Sequence, residues 1–261
     1  MDVEGEGDSK LETSGKIIRA KRIFRDDGKT VIVAMDHSFF MGNVSGLEDY
    51  LKALQKVAKG GADAVFIGYG MILKYCREIP RDLGLLMSLP MPQDPSYVQM
   101  AASVGAHGIK FTHFGSLSDT EKLKVLVPLG EECRKYGLVY LVEIVPTDEK
   151  GKNILEDVPS AARIGAEAGA DLIKTAYTGS VETFKRVTEI CPVPVVILGG
   201  PKMDSDRAIL ETVRGMIDAG GAGVAFGRNI FQHRDPTAIT RAICKIVHED
   251  ASVDDAIREL T

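Results

Sequence analysis

The 261-residue sequence predicts one α/β domain, a single (β/α)8 TIM barrel. Three observations lead there. Short aliphatic or β-branched runs recur along the chain, each followed by an amphipathic segment. Four of these runs are entered through a Gly-Ala signature, in GGADAV, VGAHGI, AGADLI and GGAGVA. The length suits one barrel of ~250 residues. Glycine stops a helix in the left-handed conformation, and the small residue after it lets a strand begin at once. Strands alternating with helices imply a parallel sheet. Eight units in ~230 residues imply that the sheet closes, with a doubly wound open sheet as the alternative.

In chain order the expected strands are Thr30–Asp36, Ala62–Ile67, Leu83–Leu89, Gly108–Phe114, Leu138–Val145, Asp171–Tyr177, Val193–Leu198 and Ala222–Phe226. Helical patterns cover Gly46–Lys59, Asp119–Tyr136, Asp157–Ala168, Val181–Cys191 and Asp204–Ala219, with Asp119 and Asp204 as expected N-caps. Residues 1–18 are expected to form a flexible segment, and 19–261 the catalytic barrel. The start, MDVEGEGDSK, is acidic and polar, unlike a signal peptide.

Composition narrows the function. Hydrophobic residues at 44% can fill a core. A net charge of −5 argues against a nucleic-acid partner, which would need a basic face. No apolar run reaches the ~18 residues of a membrane span. Cys76, Cys133, Cys191 and Cys244 are far apart, with no CxxC pair. That spacing fits reduced thiols in the cytoplasm better than disulfides or a zinc site, and no cofactor is expected.

In a barrel, chemistry gathers at the C-terminal ends of the strands. Within DLIKTAY, alternation points Leu172, Lys174 and Ala176 inward and Ile173 outward. A lysine inside a barrel is costly unless paired or neutral, and a neutral amine attacks carbonyls. The competing reading is a structural ion pair. Strand one ends in MDHS, where Asp36 and His37 are placed to move protons, or Asp36 to cap a loop. Gly199, Gly200 and Lys202 follow strand seven, and Gly227 and Arg228 follow strand eight. Two glycine turns, each followed by a cation, fit a phosphate site, with a short helix expected from Arg228. Ordinary tight turns are the alternative.

MDHS, IKTAYTG, GGPK and GRNIFQH, in that order and spacing, resemble the archaeal-type class I fructose-bisphosphate aldolase family. That group also holds aminodideoxyheptulosonate synthase, deoxyketofructose-phosphate synthase and the thiolase of phosphorylated autoinducer-2. The resemblance runs from about Arg19 to Glu259. It implies that Lys174 is the Schiff-base lysine, that Asp36 and His37 sit beside substrate, and that both glycine turns hold phosphate. It also implies metal-free chemistry and a homo-oligomer, often a decamer.

Two departures stand out. Ser38 replaces the glycine that usually follows Asp-His. The strand-five segment VEIVPTDEKGK carries Val145 where family aldolases have an acid/base tyrosine. Alternation turns Glu143 and Val145 inward, so Glu143 is a candidate replacement, either as a general acid of raised pKa or as an ion-pair partner. Ile109 and Phe111 face the helices, which turns Lys110 and Thr112 inward. Lys110 then either neighbours Lys174 or neutralises Glu143. DHSFFMGNVSGLE looks closer to the thiolase, whereas KTAYTG and GGPK look closer to the aldolases and synthases. The expected function is a Schiff-base aldolase or transferase acting on a phosphorylated ketose. A thiolase or synthase, or a non-catalytic sugar-phosphate binder, are the alternatives.

Overall fold

The computed structural model describes residues 14–260. Residues 14–20 are helical (α1). There follow β1 (Thr30–Ala34), α2 (His37–Met41), α3 (Tyr50–Lys59), β2 (Ala64–Ile67), α4 (Tyr69–Tyr75), β3 (Gly84–Ser88), α5 (Ser96–Ser103) and β4 (Gly108–Gly115). The chain continues through α6 (Thr120–Leu123), α7 (Leu126–Tyr136), β5 (Val139–Pro146), α8 (Val158–Glu167), β6 (Leu172–Thr175), α9 (Val181–Ile190) and β7 (Val195–Leu198). It ends with α10 (Asp206–Asp218), β8 (Gly223–Phe226), α11 (Arg228–Phe231), α12 (Pro236–Glu249) and α13 (Val253–Ala256). The strands are parallel, and β8 pairs with β1 to close the barrel.

All eight expected strands form; six are shorter than expected, β4 runs one residue further, and β5 keeps its length but is shifted one residue along the chain. The helix expected over Asp119–Tyr136 is two, α6 and α7, broken at Lys124 and Val125. Asp119 caps α6 by accepting from the Lys122 amide. The cap of α10 is Ser205 rather than Asp204, its hydroxyl accepting from the Ala208 amide. Of the segment expected to be flexible, residues 14–18 are helical, and Lys16 binds Asp171 at 3.0 Å. Residues 1–13 lie outside the described residues.

Two apolar clusters divide the interior. One lies inside the barrel and contains Ile32, Ala64, Phe66, Leu86, Leu141, Leu172 and Val196, with Ile23 from the segment after α1. The other fills the space between strands and helices. Alternation assigns residues to each, since neighbours along a strand face opposite ways. Ile109, Phe111, Val142 and Ile173 pack outward as expected. Val145 and Ala176, expected inward, belong to the outer cluster. Both lie at or beyond strand ends, where strict alternation no longer holds.

The helices cover this sheet with one apolar stripe each. In α10, Ile209, Leu210, Val213 and Met216 are buried, a spacing that repeats once per helical turn. In α9, Ser180 and Thr183 form a reciprocal capping box that fixes the helix start directly after the Lys174 strand.

Candidate active site

Register builds the site. Leu141 and Leu172 face each other across β5 and β6, and two residues on, Glu143 pairs with Lys174. Across β3 and β4, Ser88 pairs with Lys110, and across β4 and β5, Thr112 pairs with Glu143. The apolar layer therefore gives way to a charged one within a single repeat of the pleat.

Four charges alternate in sign there. Asp36 Oδ2 accepts from Lys110 Nζ at 2.5 Å and from Ser88 Oγ at 2.6 Å. Lys110 Nζ lies 3.3 Å from Glu143 Oε2, and Lys174 Nζ lies 2.6 Å from Glu143 Oε1. Thr112 Oγ1 adds a bond to Glu143 at 3.2 Å. All four charged residues are buried. Both ammonium groups sit 4.9 Å from the centroid of the Phe66 ring, whose face attracts cations.

The four groups titrate differently. Burial lowers the Lys174 pKa, and repulsion from Lys110 adds to this against the pull of Glu143. Burial opposes charge on Lys110 too, but Asp36 and Glu143 outweigh it and raise that pKa. Burial would raise Glu143, yet Lys174 and Lys110 together hold it below the usual carboxylate value. Asp36 is depressed in the same way, by Lys110 and then Lys174 acting against its burial. Of the two readings of Glu143, a raised-pKa acid or an ion-pair partner, the geometry favours the second, because two lysines flank it. At rest it is a proton acceptor. Lys110 is a fixed cation and Lys174 the readily deprotonated one.

His37 opens α2. Its Nδ1 donates to the Ala34 carbonyl at 3.1 Å and lies 3.9 Å from Asp36 Oδ1. Burial lowers its pKa, so near neutral pH the ring is uncharged. The carbonyl bond fixes the proton on Nδ1 and leaves Nε2 as a base.

A cavity of about 460 Å³ opens over this layer. Asp36, His37, Lys110, Glu143, Lys174 and Arg228 all line it. Gly199, Gly200 and Gly227 are not among its lining residues, but Gly200 and Gly227 adjoin two that are, Arg228 and His37. Gly200 has φ +62°, the left-handed region that suits glycine. A methyl group on Gly227 would collide with the His37 ring. Arg228 opens α11, the short helix expected there, and its Nη2 donates to the Gly200 carbonyl at 3.0 Å. Its Nε is buried with no partner among the described residues. Lys202 is set apart. It is exposed, bonds the Gln232 carbonyl at 3.1 Å, and lines a separate cavity of about 280 Å³.

Some residues of the site escaped the sequence. Ser88 holds Asp36, and its only signal was a polar residue in inward register within LGLLMSL. Asn229 clamps the turn after β7. Its Nδ2 donates to the carbonyls of Gly199 (2.8 Å) and Pro201 (3.3 Å), and its Oδ1 accepts from the Met203 amide at 2.7 Å. A side-chain amide in GRNIF, two residues after the second glycine turn, was the available clue. Among the described residues, no cluster of three or more His, Cys, Asp or Glu could hold a metal. Nor is any described helix long and apolar enough to cross a membrane.

The profile described as DeoC/LacD family aldolase matches residues 30–233. A 2-amino-3,7-dideoxy-D-threo-hept-6-ulosonate synthase of Halobacterium salinarum is 33% identical over 95% of this chain and 97% of its own. An uncharacterised aldolase of Saccharolobus solfataricus is 30% identical over 94% and 99%. Among solved structures, an archaeal fructose 1,6-bisphosphate aldolase superposes with a TM-score of 0.79. It is 28% identical, covering 90% of this chain and 99% of that one. Another archaeal fructose-1,6-bisphosphate aldolase, whose catalytic lysine is bound to a carbinolamine intermediate, gives 0.77 at 28% identity, covering 89% and 99%.

Proposed function

The chain belongs to the DeoC/LacD aldolase family and is a class I, Schiff-base enzyme, and from that premise we propose that Lys174 forms the Schiff base with a phosphorylated ketose. One observation carries this. Lys174 is a buried lysine at the floor of an open cavity, with a lowered pKa and a carboxylate 2.6 Å away. A structural lysine would be held firmly charged, as Lys110 is.

In the proposed reaction the Lys174 amine attacks the ketone carbon to give a carbinolamine. Loss of water leaves an iminium; a base takes the proton of the hydroxyl on the β-carbon, the α–β C–C bond breaks as that carbon leaves as an aldehyde, and the bonding pair moves to the iminium to give an enamine. Protonation of the enamine and hydrolysis release the ketone fragment. The same steps reversed make the bond. Glu143 touches Lys174 and takes or returns the proton of the amine and carbinolamine. Asp36, fixed by Lys110 and Ser88, and His37 serve the substrate hydroxyls. Arg228 and the Gly199–Gly200 and Gly227 turns bind the phosphate, supported by the unpartnered Arg228 Nε and the Asn229 clamp.

A synthase is the second reading, favoured by the 33% identity to the heptulosonate synthase and by Val145 in place of a tyrosine. The proposal extends to residues 19–261 as the catalytic barrel, and to a cytoplasmic homo-oligomer, in keeping with four free cysteines.

Borohydride trapping tests the reading. Incubation with dihydroxyacetone phosphate, reduction and peptide mapping are expected to find the added mass on Lys174. A label on Lys110, or none with any phosphorylated ketone, would overturn it.

A further inference from the structure

The cavity is chemically two-sided. On its β8 side stands Arg228, beside the two glycine turns. On its β1, β3 and β4 side the wall is Phe40, Met41, Met91 and Phe114. These four are also exposed, Met91 to 62% and Phe114 to 55%, although each is large and apolar. Helix α2, which supplies Phe40 and Met41, buries none of its residues. Phe40 packs edge-on against Phe39 and lies 5.6 Å from the Lys110 ammonium, but side chains of this kind left exposed at the lip of an open cavity have the character of a ligand-contacting wall.

The cations tell the same story. Among the described residues that line the cavity there are, besides Arg228, three lysines, and His113, whose Nε2 is engaged by the Ser116 carbonyl at 3.0 Å. Lys110 is committed to Asp36 and Glu143, and Lys174 is the reacting amine. Lys122 is exposed and paired with Asp119 at 2.8 Å. A phosphate needs forked cations or converging backbone N–H groups. Placed against this wall, it would meet apolar carbon and, at most, the exposed and ion-paired Lys122.

Resting on the proposed Schiff base at Lys174, we propose that the second substrate is an aldehyde with an uncharged, apolar substituent, seated on Phe40, Met41, Met91 and Phe114. The donor ketone alone carries phosphate. The enamine carbon bonds to the aldehyde carbon, and the carbonyl π pair moves to oxygen, which takes a proton. Water then adds to the iminium, and the ketose product leaves as the Lys174 amine is restored. Among the described residues Arg228 is the one strongly placed cation for a phosphate, so the bond broken in the reverse direction separates a phosphorylated ketone from an uncharged aldehyde.

The test holds the donor constant as dihydroxyacetone phosphate and varies the acceptor. Glyceraldehyde 3-phosphate is compared with butanal, hexanal and phenylacetaldehyde, while borohydride trapping is run on the same preparation. With Lys174 labelled, kcat/KM for the best apolar aldehyde is expected to exceed that for glyceraldehyde 3-phosphate by about tenfold or more. Phe114→Lys, an exposed replacement that supplies a cation, is expected to narrow or invert that ratio. Trapping with glyceraldehyde 3-phosphate preferred, or with no apolar aldehyde turned over, overturns the subsite and leaves the Schiff-base reading standing. Absence of trapping overturns the Schiff-base reading itself.

Discussion

Glu143 and Lys174 face each other across neighbouring strands, carboxylate to ammonium at 2.6 Å, both buried. The contact follows from register, since each residue stands one pleat above a leucine of the barrel interior. A single-residue slip of β5 against β6 would turn one partner out among the helices and strand the other.

Removing that carboxylate shifts the lysine's titration in a known direction. Glu143 stabilises the ammonium form, so Glu143→Gln lowers the Lys174 pKa further. The neutral amine is the attacking species, so the rising limb of kcat/KM against pH moves to lower pH. Because Glu143 also moves protons, kcat is expected to fall by about 10²-fold or more. A limb that stays in place or moves to higher pH contradicts the assignment.

Lys110→Met acts with the opposite sign. It removes a like charge near Lys174, so the same limb moves to higher pH. It also strands Asp36 and Glu143 without the cation they share, and breaking such a buried pair costs about 3–5 kcal/mol. Chemical denaturation measures the cost, and pH–rate profiles at a temperature where the variant remains folded measure the shift.

Asn229→Ala leaves the charged layer intact but frees the turn after β7 from three hydrogen bonds. Its expected signature is a KM for the phosphorylated donor raised about tenfold, since each bond contributes about 0.5–1.5 kcal/mol. kcat should change much less. A variant with unchanged KM would mean that this turn does not hold the phosphate.

His107 lies at the other end of the barrel, where its Nδ1 accepts the Leu85 amide at 2.9 Å. Burial, with Arg22 and Arg19 nearby, lowers its pKa from 6.5 to about 4. Between those values the unfolded chain binds a proton that the folded one refuses. Stability from this group is therefore full above pH 6.5 and declines as pH falls toward 4. In a His107→Asn variant the melting temperature should depend less steeply on pH within that window. Equal slopes for the two proteins would show that His107 does not set it.

The fold was legible because repetition is a robust signal. Gly-Ala helix exits and apolar runs mark the strands whatever the side chains between them do. Alternation also placed Lys110, Glu143 and Lys174 inside the barrel, since it depends only on the pleat. Ionisation was harder to read. The sequence left Glu143 open between a raised-pKa acid and an ion-pair partner, and only the spatial order of the four charges reveals lysines on both sides. Lys202 matched a sequence pattern, but its side chain reaches the Gln232 carbonyl and the other cavity. Asn229 was missed because its importance lies in the three backbone groups it joins, and the path of a turn is not written in a short motif. Val145 was misplaced because alternation weakens where a strand ends.

The sequence of charges Asp36, Lys110, Glu143, Lys174 also bears on how little the protein must rearrange during turnover. In the proposed chemistry the iminium carries the same single positive charge as the resting ammonium, at nearly the same position. The neighbouring carboxylate that holds the ammonium therefore already suits the covalent intermediate. No dipole needs to swing and no counter-ion needs to enter as the adduct forms. The resting enzyme is an electrostatic replica of its own intermediate, so the adduct forms without reorganising the charges around it.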